Sequence, residues 1–148
     1  MALWFKPYTS EEVRFSQPCM QNYIGIEFTE IGEDFLRARM PVDDRTRQPF
    51  GILHGGASVA LAETLGSVAA SLVIDQSKQR CVGQEINANH VRAVSSGYVI
   101  GTARPVHVGR RSHVWEIRIT DEQARLVCIS RMTMYILAMS IQDGEPAK

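Results

Sequence analysis

Residues 48–67 read QPFGILHGGASVALAETLGS, and the long apolar segment that begins inside this stretch decides the fold. From Gly56 to about Ile74 the chain is rich in Ala and Leu and has no internal proline, which predicts a helix. Apolar residues occupy almost every face of this helix, so we expect it to be buried. At about 1.5 Å per residue it spans roughly 30 Å, close to the width of a small domain.

Four segments after this helix have the character of strands, over residues 80–91, 97–108, 112–120 and 125–137. The third alternates most clearly, because His113, Trp115, Ile117 and Ile119 fall on one side of it. A buried helix followed by four long antiparallel strands predicts an α+β fold, in which a curved sheet packs on the helix. One sheet covers only part of an apolar helix, so we expect a second copy of the chain to cover the rest.

Upstream of the long helix the elements are shorter. Thr9 or the serine after it can cap a helix over about 9–18. A strand is expected over 22–29 and a second, half-buried strand over 35–40. Residues 41–53 contain two prolines and a glycine without a sustained period, so they form a loop.

The composition narrows the class of protein. A chain of 148 residues, with 45% hydrophobic and 22% charged residues, fits one globular domain over residues 1–148. The 16 basic and 16 acidic residues cancel, which argues against a nucleic-acid partner. The three cysteines lie at wide spacing and indicate neither a disulfide framework nor a zinc site. The N-terminus lacks the pattern of a signal peptide and no apolar run suits a membrane span, so we expect a cytoplasmic protein.

The entrance to the long helix carries the first candidate for chemistry. In His54-Gly55-Gly56 two residues without side chains stand where the first backbone N–H groups have no helical partner. Such N–H groups can stabilise an oxyanion that develops on a substrate carbonyl. The alternative is a loop-to-helix junction in which the glycines serve only the turn geometry.

Glu63 is the second candidate, because it is the only charged residue between His54 and Asp75. A buried carboxylate without a partner costs several kcal/mol, so a functional role is favoured. The alternative is a structural ion pair with Arg92 or Arg104. Ser67 lies one turn further along the helix, where it can hold Glu63 or a water by a hydrogen bond.

Gly55 and Glu63 are eight residues apart, which corresponds to roughly 12 Å along one helix. A reacting carbonyl needs contacts of about 3 Å, so it cannot touch both groups of one chain. Two antiparallel helices around a twofold axis would bring Glu63 of one chain to His54 and Gly55 of the other. The same dimer would supply the missing cover for the helix.

Residues 48–67 resemble the signature of hotdog-fold acyl-CoA thioesterases with a helical glutamate. This family includes thioesterases for 1,4-dihydroxy-2-naphthoyl-CoA, the enterobactin-pathway proofreading thioesterases and the Arthrobacter-type 4-hydroxybenzoyl-CoA thioesterases. The segments GQEINANHVR at 83–92 and HVGRR at 107–111 are similar as well. The similarity extends over roughly residues 20–138.

The resemblance implies a role for each matching residue. Glu63 is expected to act as the nucleophile or as the base that activates water, and the Gly55 N–H to polarise the thioester carbonyl. Gln48 and His54 would assist, and Ser67 would orient the glutamate or the water. The resemblance also implies a homodimer with one continuous sheet, or a dimer of dimers. No metal or redox cofactor is expected, since the carboxylate, the helix N-terminus and water suffice.

Coenzyme A carries phosphates, which need local positive charge. The candidates fall in two groups, His90 with Arg92 and His107 with Arg110 and Arg111. Exposed arginines in a turn are also common without any ligand. Phe50 and Val68, with Met132 or Met134, are the candidates for lining the acyl pocket.

The resulting hypothesis is hydrolysis of an acyl-CoA, with an aromatic acyl group favoured and a broad range possible, to the free acid and CoA. One alternative is a hotdog hydratase or dehydratase that uses His54 and Glu63 on an enoyl or 3-hydroxyacyl thioester. The other is an acyl-CoA-binding module without catalysis. Of the three, only the thioesterase releases a thiol. The hydratase would remove the double bond of crotonyl-CoA without releasing thiol, and the binding module would bind acyl-CoA without turnover.

Overall fold

The computed structural model describes residues 3–139, which form two helices and six strands. The elements in chain order are α1 (Met20–Tyr23), β1 (Glu27–Ile31), β2 (Leu36–Pro41), α2 (Gly55–Val73), β3 (Gln79–His90), β4 (Tyr98–Val108), β5 (Ser112–Asp121) and β6 (Leu126–Ala138). The predicted long helix and the four strands after it therefore agree with the structure to within about one residue at each end.

The six strands form one antiparallel sheet in the order β1-β2-β4-β5-β6-β3. After α2 the chain does not return beside β2, because β3 pairs with β6 at the far edge of the sheet. In the described chain β3 therefore has a partner on one side only. This α+β arrangement of a long helix on an antiparallel sheet confirms the predicted hotdog fold.

The core lies between α2 and the sheet. Leu61, Leu65 and Ala69 of α2 are fully buried, as are Trp115 and Ile117 of β5. The predicted inward side of β5 is confirmed, since His113 and Ile119 are buried with them. Contrary to the expectation that no apolar run suits a membrane span, an 18-residue window of α2 has a mean hydropathy of 1.4, enough by length and composition to cross a membrane. Its contacts with β2 to β6 account for that hydropathy as the core of a globular fold.

One face of α2 departs from the expectation of complete burial. Its buried residues lie toward the sheet, whereas Glu63 is exposed and Val59, Ala60 and Ser67 are only partly buried. The physical reason is that one sheet covers one side of a helix. Within a single chain, Glu63 therefore stands on an open face and not in the core.

The predicted helix over 9–18 is wrong. The segment contains only overlapping turns, in which the Thr9 N–H donates to Glu12 Oε2 at 2.7 Å and the N–H groups of Glu12 and Arg14 donate to the Thr9 and Glu11 carbonyls, each at 3.2 Å. Pro18 ends any continuation, because it lacks an N–H and disfavours a helical conformation in the residue before it. The helix forms after the proline instead, as α1, so the first strand begins at Glu27 and not at residue 22.

The buried His113 makes stability depend on pH. Burial lowers the pKa of His113 from its ordinary value of 6.5, and the charge of nearby His107 lowers it further, while the backbone of Gly109 opposes the shift. Within residues 3–139 its Nδ1 atom has no hydrogen-bond partner. The unfolded chain therefore takes up a proton that the folded chain resists.

We predict that the free energy of unfolding of the wild type falls as the pH drops below about 6.5. The variant His113→Phe keeps a ring beside Trp115 but cannot be protonated, so its stability should change less between about pH 7 and 5. Urea unfolding at several pH values measures this difference. His90→Gln, at an exposed position toward the other end of the sheet, is the control and should follow the wild type. Equal pH dependence of His113→Phe and wild type would contradict the prediction.

Candidate active site

The uncovered face of α2 forms the floor of a groove of about 690 Å³, which we call the Glu63 groove. The N-terminal segment supplies one wall, with Phe15, Met20, Gln21 and Ile24. Cys81 of β3 borders the groove from the sheet. The floor consists of Gly56, Val59, Ala60, Glu63, Thr64, Ser67, Val68 and Ser71. The groove thus combines an apolar lining with a single carboxylate.

The carboxylate of Glu63 lies against the backbone of β3. A Cβ atom on Gly83 would lie 3.0 Å from Glu63 Oε1, so the absence of a side chain at Gly83 leaves room for the carboxylate. Within residues 3–139 Glu63 forms no ion pair, and Arg104 pairs with Asp34 at 2.6 Å instead. The structural ion pair considered from the sequence is therefore absent from the described chain. The carboxylate is available to a ligand in the groove.

Cys81 is the other ionisable side chain of the groove. Burial raises the pKa of its thiol, and the Sγ atom lies 3.7 Å from the Ser67 carbonyl oxygen. A thiol with a raised pKa is protonated at neutral pH and is a weak nucleophile. Glu63 is therefore the remaining candidate for a reactive group on this face of the helix.

The N-terminus of α2 opens on a different cavity, of about 450 Å³, which we call the Gly55 pocket. It is lined by Gln48, Ile52, Leu53, Gly55, Ser58, His90, Val91, Arg92, Ala93 and Val127. A Cβ atom on Gly55 would lie 2.8 Å from His90 Nε2, so only glycine lets the imidazole approach the first turn this closely. The pocket joins the predicted Gln48, Gly55, His90 and Arg92.

His54 is the N-cap of α2. Its backbone is extended, and its Nδ1 atom accepts a hydrogen bond of 2.7 Å from the Gly56 N–H. The N–H groups of Ala57 and Ser58 donate to the His54 carbonyl oxygen. In the described part of the chain, the Gly55 N–H has no acceptor. Capping therefore leaves one polarised donor at the positive end of the helix.

A model of the thioesterase superfamily matches residues 50–128. The chain is 50% identical over 136 residues to the 1,4-dihydroxy-2-naphthoyl-CoA hydrolase of Escherichia coli K12, a match that covers 91% of this chain and 99% of that protein. The chain belongs to the thioesterase superfamily. This membership confirms the family expected from residues 48–67. Together with the relatives' names, it also confirms that the activity is that of a thioesterase.

Further relatives of this superfamily member agree with that assignment. The proofreading thioesterase EntH of Cronobacter sakazakii is 52% identical over 136 residues, covering 91% of this chain and 98% of that protein. A crystal structure of a glutamine-to-alanine variant of the thioesterase PA1618 of Pseudomonas aeruginosa superposes with a TM-score of 0.91 at 45% identity, covering 93% of this chain and 100% of that one. The thioesterase HI1161 of Haemophilus influenzae has a TM-score of 0.88 at 47% identity, covering 92% and 95%.

Several predicted site residues lie where the sequence suggested, and others do not. Val68 and Ser67 line the Glu63 groove, but the Ser67 hydroxyl lies 3.9 Å from Met134 Sδ and forms no hydrogen bond with Glu63. Phe50 is 90% exposed in the loop that the Arg47–Leu53 bridge closes, and it lines neither cavity of this chain. Its N–H donates to Gln48 Oε1 within that loop. Met132 and Met134 are buried in the core beneath α2.

The two predicted phosphate-binding groups lie at opposite ends of the sheet in one chain. Across neighbouring strands Gly83 pairs with Met134, Met134 with His113, and His113 with Val108, so these four residues lie in one row across the sheet. The turn at 109–111, which carries Arg110 and Arg111, directly follows Val108 and lies at the same end of the sheet as Gly83. His90 is seven residues from Gly83 along β3, a separation of roughly 23 Å. His107, Arg110 and Arg111 are exposed and, within the described residues, form no ion pair. One chain alone therefore does not join all five residues in one site.

Sequence reasoning did not identify the individual residues of the N-terminal wall or the role of Gly83. The signal for the wall was present, since Phe15 and Met20 are large apolar residues in a polar segment. Gly83 carried no such signal, because only the fold brings β3 beside the middle of α2.

The cap at His54 predicts a specific pattern of stability. His54→Ala removes the acceptor for the Gly56 N–H and should lower the free energy of unfolding by about 1 kcal/mol. His54→Asn restores an oxygen that can accept this hydrogen bond and should retain most of the wild-type stability. Urea unfolding measures both variants. Equal losses in the two variants would show that the capping hydrogen bond is not what His54 contributes.

Proposed function

We propose that the protein hydrolyses acyl-CoA thioesters to the free acid and CoA at a site that combines Glu63 with Gly55. Glu63 acts as the nucleophile or as the base that activates water, and the Gly55 N–H polarises the thioester carbonyl. In the overall reaction an oxygen from water bonds to the carbonyl carbon, the carbon–sulfur bond breaks, and CoA leaves as the thiol. The observation that carries this proposal is an unpaired carboxylate on the floor of a groove large enough for an acyl group.

The proposed site requires two chains. Glu63 and Gly55 of one chain border different cavities and are separated by roughly 12 Å along α2. The unpaired edge of β3 offers backbone groups to a second copy, which would join the two sheets. On β3, Gly83 lies beside Glu63 and His90 lies beside Gly55. The midpoint between Gly83 and His90 falls between Ile86 and Asn87. Twofold antiparallel pairing of two β3 strands about that point would bring the Glu63 groove of each chain to the Gly55 pocket of its partner.

The same twofold arrangement supports binding of the CoA phosphates. In that pairing the end of one chain's sheet near His90 and Arg92 would meet the end of the second copy's sheet near Gly83, His107, Arg110 and Arg111. The two basic groups, separated in one chain, would then lie at one end of the joined sheet. Arginine side chains suit phosphate because their guanidinium groups form paired hydrogen bonds.

Aromatic acyl groups are the favoured substrates in this proposal. The support is the apolar lining around Glu63, with Phe15 and Val68, and the naphthoyl-CoA named for the Escherichia coli relative. Flat, rigid acyl groups bury much apolar surface at a small loss of conformational entropy. A dimer, or a pair of dimers, is the assembly in which the site would operate.

The variant Glu63→Gln tests the chemistry. It keeps the shape of the side chain but can neither accept a proton nor attack the carbonyl as a carboxylate, so kcat with benzoyl-CoA should fall by about 100-fold or more. Thiol release measures the rate. Glu33→Gln, on an exposed turn away from both cavities, is the matched control and should retain wild-type turnover. Unchanged turnover in Glu63→Gln would reject the proposed role.

The wild type is also incubated with crotonyl-CoA. Loss of its double bond without thiol release would identify a hydratase.

Mixed dimers test whether the site is shared. Gly55→Val keeps the backbone N–H but places a side chain against His90, where it should block the approach of a carbonyl. Neither Glu63→Gln nor Gly55→Val should therefore be active alone, but co-expression should restore about a quarter of wild-type turnover, since half of the dimers are mixed and each contains one intact site. A site within one chain predicts no recovery, because every chain then carries a defect. Differently tagged chains allow the mixed species to be purified and assayed by thiol release.

A further inference from the structure

A second cavity continues from the end of the Glu63 groove. It has a volume of about 550 Å³ and lies over the C-terminal part of α2, where the floor includes Leu72 and Asp75. The N-terminal segment covers it with Phe5, Tyr8 and Val13. We call it the distal cavity. It is distinct from the Gly55 pocket, which lies at the other end of the helix.

Phe15 separates the distal cavity from the Glu63 groove. Three residues line both spaces, namely Phe15, Val68 and Ser71. Val68 and Ser71 belong to α2 and form a continuous floor, so Phe15 is the one shared residue that comes from the covering segment. Its ring is therefore placed to act as a partition between the two spaces.

Phe15 is held in place through both its ring and its backbone. It packs against Phe28 of β1, with ring centroids 6.0 Å apart at an angle of 58°. The side-chain amide of Asn22 donates to the Phe15 carbonyl at 2.9 Å and to the Gln17 carbonyl at 3.0 Å, which fixes the backbone between the turn and α1. The partition is part of the folded structure and does not depend on a ligand.

The direction of the groove makes this partition relevant to the substrate. Along α2, Ser71 is two turns beyond Glu63, a distance of roughly 12 Å. An acyl group bound with its carbonyl at Glu63 and extended along the floor passes Ser67 and Val68 and then meets Phe15. The distal cavity beyond is partly apolar, and the ion pair between Lys6 and Glu12, at 3.1 Å, lies at its rim.

We propose that Phe15 is a specificity-determining residue that closes the acyl groove and restricts the enzyme to compact acyl groups. The proposal rests on the thioesterase function assigned above to Glu63. Removing the ring joins the distal cavity to the groove and admits long acyl chains. Enlarging the ring shortens the groove and excludes them more strongly.

Two opposite substitutions test this role. Phe15→Ala should raise the ratio of kcat/KM for decanoyl-CoA to that for butyryl-CoA by about tenfold, and Phe15→Trp should lower it. Thiol release with butyryl-, benzoyl- and decanoyl-CoA gives the three specificity constants. Phe15 is 38% exposed, so truncation is compatible with folding, and thermal unfolding checks this directly. Phe5→Ala removes an identical side chain from the far side of the distal cavity and should keep the wild-type ratio.

The outcomes separate this inference from the proposed function. If both Phe15 variants turn over thioesters with the wild-type ratio, the partition does not set specificity and the inference is overturned. A change of ratio in the same direction for both variants also overturns it, because the effect would not follow ring size. If the wild type releases no thiol from any of the three substrates, the proposed function itself fails.

Discussion

The packing of α2 against a single sheet is the constraint on which the rest of the structure depends. Leu61 and Leu65 fill the space above β4 and β5, and their complete burial fixes which side of the helix faces the core. A sheet covers one side of a helix only, so the opposite side must remain open or find another partner. The residues on that side are small or polar around Glu63. The same packing that stabilises the fold therefore presents the carboxylate to the groove.

The start of α2 adds a second polar group with a different orientation. His54 caps the Gly56 N–H, and the Gly55 N–H remains as a donor beside His90. The positive end of the helix dipole lies at the N-terminus, whereas side chains project around the axis, so these two groups face different spaces in one chain. Their separation links chemistry to assembly, because a twofold partner is the simplest way to bring a carboxylate to a helix N-terminus. Such a partner would pair along the open edge of β3.

The N-terminal segment gives the groove its shape. It has almost no regular structure, yet Phe15, Met20 and Ile24 supply the wall opposite the sheet. The chain reaches this place because Asn22 and Phe28 hold the segment near β1. Irregular segments vary more readily than core elements, which makes such a wall a suitable place to adjust substrate range without disturbing the helix and its carboxylate.

By itself, the sequence determined the helix, the four strands that follow it and the candidate pair of Glu63 with His54-Gly55-Gly56. Local periodicity was sufficient for the helix and strands. Glu63 was singled out as the one charge in an apolar helix, although in the single chain it lies on an open face and not in the core. Its patterns did not determine that β3 crosses to the far edge, that residues 9–18 form a turn or that Gly83 makes room for Glu63. The sequence patterns also did not determine the position of Phe15 at the end of the groove. Nor did they show that Phe50 lines neither cavity. These features depend on contacts between residues distant in the chain, and such contacts form only when the whole sheet closes around α2.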